Sequence, residues 1–232
     1  MSGKGRLVLP GYSHYVQMRG HNGEAIFHTA WDYRRFLTLM GEARIRHHVD
    51  VQAWCLLPNE VHLLVSPRHS KSNLTALMRH LGMVYTRTYN SCHGRTGSPW
   101  QGPYRSSLVQ NGHWRLACLR YIETLPVRLG LSCSVKLHPW ISWRARLAHE
   151  WYVDHDTDYL ELADTDAERR ERYRGFLAMG VDPKEAELIE TQLRRGQLIG
   201  NPGFVDEIEA LTGRRIESRG PGRPPKKKKK KK

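Results

Sequence analysis

Residues 54–67 constrain the chain more than any other stretch. Two β-rich runs, 51–57 and 61–66, meet at Pro58 and Asn59. Proline fixes its own backbone and asparagine tolerates turn conformations, so the pair reads as the corner of a hairpin. Side chains alternate along a strand. Glu60 and His62 therefore share one face of the second run, while Val61 and Leu63 occupy the other. A carboxylate and an imidazole are costly to bury in a sheet unless something pairs with them. Two readings satisfy that condition. Glu60 bonds to His62 or to a nearby arginine, or the two side chains are donors for a cation.

The pattern on either side of the hairpin alternates between the two periods. Residues 13–19 alternate weakly and read as a first strand ended by Gly20. Tyr33, Phe36, Leu37, Met40 and Ala43 then follow the i, i+3, i+4, i+7 spacing of a helix with one buried face. After the hairpin, Ser72 or Asn73 is placed to cap a second helix with Leu74, Leu77, Met78, Leu81 and Tyr85 inward. A turn-rich segment, 93–103, leads to a fourth strand at 104–109. A third helix over 112–125 carries Trp114, Cys118, Tyr121, Ile122 and Leu125 on one face, with Pro126 closing it. The order β-α-β-β-α-β followed by a helix specifies an α+β fold. It predicts a ferredoxin-like antiparallel sheet with helices on one face and the other face open to a ligand.

Beyond Trp143 the composition shifts. We divide the chain into a domain over 1–145, a helical appendage over 146–215 and a basic tail over 216–232. In the appendage, Asp182-Pro183 and Asn201-Pro202 each have the signature of a helix start. The second of these predicts Phe204, Val205, Ile208 and Leu211 facing inward, with Gly213 as the stop. The formal net charge is +14, and nine of those positives lie in Arg219, Arg223 and the lysine run from Lys226 onward. A mildly basic body with an intensely basic arm seeks polyanions, of which nucleic acid is the commonest. Arg223, Lys226 and Lys227 are the tail residues assigned to DNA. Gly222-Arg223-Pro224 resembles an AT-hook, whose arginine lies in a narrow minor groove; non-specific phosphate binding is the plainer reading and the favoured one. The four cysteines form no Cys-x-x-Cys pair, which excludes a zinc ribbon and a disulfide scaffold. No apolar run approaches 18 residues, so no membrane partner is expected, and the expected location is the cytoplasm, in association with the nucleoid.

Several segments together resemble the REP-associated tyrosine transposases, relatives of the single-tyrosine HUH insertion-sequence transposases. They are residues 6–11, 57–65, 94–97, 100–109 and 118–128, in the family's order and spacing across roughly 5–145, with 211–215 also similar. The resemblance implies a metal-dependent enzyme that binds hairpin-containing single-stranded DNA. A tyrosine attacks a scissile phosphate, leaving a 5′-phosphotyrosine and a free 3′-hydroxyl, and strand transfer reverses the step without ATP. Carried over by position, the nucleophile falls on Tyr121. Taken on periodicity alone, an inward tyrosine such as Tyr121 is more often a core residue, and the resemblance is what makes it the nucleophile.

The resemblance also implies two metal-ligating histidines on the central strand and a further ligand four residues after the tyrosine. These positions hold Glu60, His62 and Leu125 here. Glutamate is a competent oxygen ligand for Mg²⁺ or Mn²⁺, whereas leucine coordinates nothing. The remaining set is Glu60 and His62, completed by water, DNA or His14. Arg95, Arg105 and Ser106 are the body residues assigned to DNA contacts beside the site. The alternative function is that of a catalytically weakened descendant that only binds DNA. The sequence leaves open whether the protein acts as a monomer or a homodimer.

Overall fold

The computed structural model describes residues 6–148 and 150–216. Arg223, Lys226 and Lys227 lie outside the described residues. The elements run β1 (Ser13–Arg19), α1 (Ala30–Arg46), β2 (Val49–Leu57), β3 (Glu60–Pro67), α2 (Lys71–His93), β4 (Arg105–Val109) and α3 (His113–Arg128). Then follow α4 (Ser142–Ala148), α5 (Thr157–Leu160), α6 (Asp166–Ala178), α7 (Pro183–Arg195) and α8 (Pro202–Thr212). The four strands form one antiparallel sheet in the order β2-β3-β1-β4, the order of a ferredoxin-like unit. The α+β class and the antiparallel sheet are as the sequence pattern specifies.

Strand alternation decides which side chains meet which helices. Val16, Met18, Val61, Leu63 and Val65 point to the face covered by α1 and α2, where they join Phe36, Met40, Leu77 and Leu81 in the larger core. Tyr15 and Leu64 point to the other face. In β2 a bulge between Val51 and Ala53 changes the phase. Trp54 and Leu56 thereby keep to the face of Val51, and Cys55 and Leu57 take the opposite one. An inserted residue of this kind is how a strand re-aims its side chains without losing its partner.

The second face is not open. Cys118, Leu119, Tyr121, Ile122 and Leu125 of α3 pack onto it together with Ile189 and Leu193 of α7. The expectation of a free sheet face is corrected accordingly. A sheet whose second face carries Tyr15, Ala53, Cys55, Leu57 and Leu64 exposes too much apolar surface to be left in water, and helices from the second half of the chain cover it.

Three local expectations also change. Ser70, not Ser72 or Asn73, caps α2. Pro126 lies inside α3, which continues to Arg128. Its carbonyl accepts hydrogen bonds from the backbone of Leu131 and Ser132 beyond the helix end. Leu211 is exposed, because α8 packs through Phe204 and Ile208 onto Leu108 and Leu198. Gly20, which ends β1, is required by space. A Cβ there would collide with the carbonyl oxygen of Glu24.

Candidate active site

Glu60 and His62 sit beside β1 in register. Arg19 is opposite Glu60, and Gln17 is opposite His62. Paired residues of an antiparallel ladder project to the same face, and the side chains here converge. The Glu60 Oε2 and His62 Nε2 atoms share a hydrogen bond at 3.0 Å. Gln17 Nε2 donates to the same carboxylate oxygen at 2.7 Å, and Arg19 Nε lies 2.9 Å from the other. Burial alone would raise the Glu60 carboxyl. The bonds from His62 and Gln17 and the charge of Arg19 outweigh it and hold the group below its ordinary value. On the far side of the imidazole, Nδ1 shares a hydrogen bond of 2.9 Å with the hydroxyl of Tyr15. Both ring nitrogens are thus fixed.

Tyr15 links this pair to Tyr121. Its ring stands edge-on to His62 and to Tyr121, with centroids 5.9 Å apart in both cases. Tyr121 projects from α3 onto the same face of the sheet and is 4% exposed. Its hydroxyl does not point at Glu60 or His62. It donates to Glu190 Oε1 of α7 at 2.8 Å. Arg128, seven residues further along α3, lies over the Tyr121 ring at 4.1 Å and donates to that same Glu190 oxygen at 2.9 Å. The Glu190 side chain is 58% exposed, so this contact is at the rim of the site and open to solvent. Burial pushes the Tyr121 phenol up, Arg128 pulls it down, and Glu190 pushes it up; the net result is well above the ordinary value.

Two donors converge in Glu60 and His62. Among the described residues no group of three or more His, Cys, Asp or Glu side chains comes together in a way that could hold a metal. One carboxylate and one fixed imidazole suit an oxygen-preferring divalent cation that takes its remaining ligands from water and substrate phosphate. The hydrogen bond on His62 Nδ1 is the kind of outer contact that orients a ligating imidazole. His14 is not part of the set. It faces the α1–α2 side with Val16, and its Nε2 accepts a hydrogen bond from the backbone of Leu9. Leu125 packs in the same apolar cluster as Tyr121.

The residues assigned to DNA separate. Arg95 stays at the end of α2, bonded to Glu24 and Tyr89 on the α1–α2 side of the sheet, and is not brought to Tyr121. Arg105 is exposed on β4 opposite Gln17, and Ser106 follows it; both line a cavity at the outer edge of that strand. The sequence reading missed Gln17, Arg19, Arg128 and Glu190. The strand register would have found the first two. Glu190 carries no such signal, since only the packing of α7 on α3 brings it to the tyrosine.

The fold resembles a solved structure described as the REP-associated tyrosine transposase bound to a REP hairpin. The TM-score is 0.50 with 16% sequence identity, over 72% of this chain and 96% of that one. A protein of Deinococcus radiodurans described as a transposase aligns over 53% of this chain and 96% of its own, at 19% identity and a TM-score of 0.34. At these identities the first likeness is one of fold, and the second adds nothing to it. No family model and no curated protein matches the chain.

Proposed function

We propose that this chain is a single-tyrosine DNA strand transferase acting on hairpin-containing single-stranded DNA through Tyr121. One observation carries the reading. The Tyr121 hydroxyl and the Arg128 guanidinium converge on a single carboxylate oxygen, at 2.8 and 2.9 Å. That is the arrangement an anionic oxygen of a phosphodiester would meet on displacing Glu190. Tyr121 Oη then gives up its proton to water and attacks phosphorus, and the P–O3′ bond breaks. The 3′-oxygen leaves as a hydroxyl after taking up a proton, and the 5′-phosphate stays on the tyrosine. Arg128 stabilises charge on the non-bridging oxygens. Attack by a 3′-hydroxyl on the adduct reverses the step and joins strands.

Glu60 and His62 are the residues that would hold Mg²⁺ or Mn²⁺. Such an ion supplies Lewis-acid help and draws in the phosphate. Gln17 and Arg19 orient the carboxylate, and Tyr15 orients the imidazole. The solved REP-associated transposase is bound to a hairpin, and that is the substrate class proposed here.

The test is a labelled hairpin oligonucleotide incubated with the protein and Mn²⁺ and run on a denaturing gel. A covalent adduct that disappears with Tyr121→Phe and with EDTA is expected. An adduct that survives Tyr121→Phe removes the reading. The second reading, a DNA-binding protein without turnover, is favoured by Arg19 already occupying Glu60 and by Glu190 already occupying Tyr121. It predicts hairpin binding that is indifferent to EDTA and to Tyr121→Phe, with no adduct under any metal.

A further inference from the structure

At the outer edge of β4 lies a cavity of about 530 Å³. Six arginines line it: Arg6, Arg105, Arg194, Arg195, Arg214 and Arg215. Among the described residues no carboxylate lines it. They come from four separate parts of the chain, namely the N-terminal segment, β4, the last turn of α7 and the segment after α8. The side chains of Arg105, Arg194 and Arg195 are exposed. A cluster of like charges around one hollow attracts a polyanion. The floor is of a different kind, with half-buried Leu7 and Ile216 giving it apolar surface. A second hollow of about 640 Å³ shares Arg6, Leu7 and Arg214 with the first and adds Lys71, so the basic track continues along the surface.

The track starts at the candidate active site. Arg194 follows Glu190 by four residues on α7, about 6 Å along the helix axis. Arg105 stands opposite Gln17, which holds Glu60.

We infer that this groove seats a single-stranded polynucleotide leading to or from Tyr121, with its phosphates on the arginines and its bases against the apolar floor. Unpaired bases have apolar faces to lay on such a floor, which a duplex keeps stacked inside. The inference rests on the function proposed above for its chemistry, but its test does not depend on turnover.

The experiment measures fluorescence anisotropy of a short, hairpin-free thymidine oligonucleotide with the full chain, between about 50 and 200 mM salt. Replacing Arg194 and Arg195 together by alanine is expected to weaken binding about tenfold. It is also expected to reduce the slope of log affinity against log salt by about 1.4, at roughly 0.7 per single-strand phosphate contact. The control, Arg34→Ala with Arg174→Ala, removes two positive charges elsewhere on the surface and is expected to leave the slope unchanged. An unchanged slope in the Arg194/Arg195 variant overturns the proposal. So does an equal loss in the control, which would mean diffuse attraction. Displacement of the probe by blunt duplex as readily as by unlabelled single strand overturns the single-strand assignment. The two readings fail separately. A reduced slope without any wild-type adduct leaves the groove and removes the enzyme, and an adduct with an unchanged slope does the reverse.

Discussion

Glu190 holds the proton of the Tyr121 hydroxyl and the guanidinium of Arg128 at once, and this contact governs two measurable properties. The first is the acidity of the phenol. A carboxylate beside a phenol disfavours the phenolate, so Glu190→Gln lowers the Tyr121 pKa, and Arg128→Ala raises it. Ultraviolet titration of the phenolate band, with Tyr121→Phe as the subtraction, reads both. The second is competition with substrate. An ion pair at an exposed rim contributes up to about 1 kcal/mol, so Glu190→Gln is expected to speed adduct formation by up to about fivefold. A slower reaction would mean that the carboxylate takes part in the chemistry. Residue types were legible here only in part. Glu60, His62 and Tyr121 stand out because strand and helix periods place them, while Glu190 depends on a contact across 69 residues of sequence.

His14 belongs to the same scale and makes a separate prediction. It is fully buried, and burial pushes its imidazole down to about 4. In the unfolded chain it titrates near 6.5, so the folded state binds the proton less readily. The contribution is fully present above about pH 6.5 and is lost as pH falls towards 4, amounting to roughly 3 kcal/mol. Urea denaturation across that range is expected to show this decline. A flat profile would contradict the buried, neutral state of His14.

Among the elements, α3 is anchored by a buried carboxylate. Glu123, two residues past Tyr121, is fully buried, and it accepts hydrogen bonds from Ser142 of α4 at 2.6 Å and Tyr173 of α6 at 2.8 Å. Arg146 lies 3.3 Å away with no exposed side-chain surface. Removing one partner of such a pair leaves a buried charge without compensation, at a cost of about 3–5 kcal/mol. Glu123→Ala is therefore expected to destabilise the protein by that amount in urea denaturation, while Arg34→Ala, at an exposed position, stays near zero. The sequence pattern placed α3 and its apolar stripe correctly but stopped it at Pro126. A proline in the last turn forfeits one hydrogen bond, and the contacts of that turn with the sheet keep the helix going to Arg128. The bulge in β2 was likewise illegible. The run 51–57 reads as one β-rich strand, and only the partner strand reveals the extra residue.

For the whole molecule, the sheet was legible because its β-α-β-β-α-β order leaves few topologies. The covering of its second face was not. Residues 146–215 read as a helical appendage, and Ile189 and Leu193 of its α7 pack beside Leu119 and Ile122 in one cluster. That packing brings a carboxylate to Tyr121 and lines up Arg194 and Arg195 with β4. The candidate active site is therefore assembled from both halves of the chain. Among the described residues no helix is long and apolar enough to cross a membrane.

Everything turns on whether the Tyr121 hydroxyl forms a bond to phosphorus. The most direct measurement is tandem mass spectrometry of the protein after incubation with Mn²⁺ and a pool of hairpin oligonucleotides carrying 3′-bridging phosphorothiolates, whose sulfur leaves without returning to reverse the step. A nucleotide mass is expected on Tyr121 in the peptide beginning after Arg120, with the same adduct at higher yield in Glu190→Gln. An adduct on any other residue, or none in either protein, would contradict that expectation.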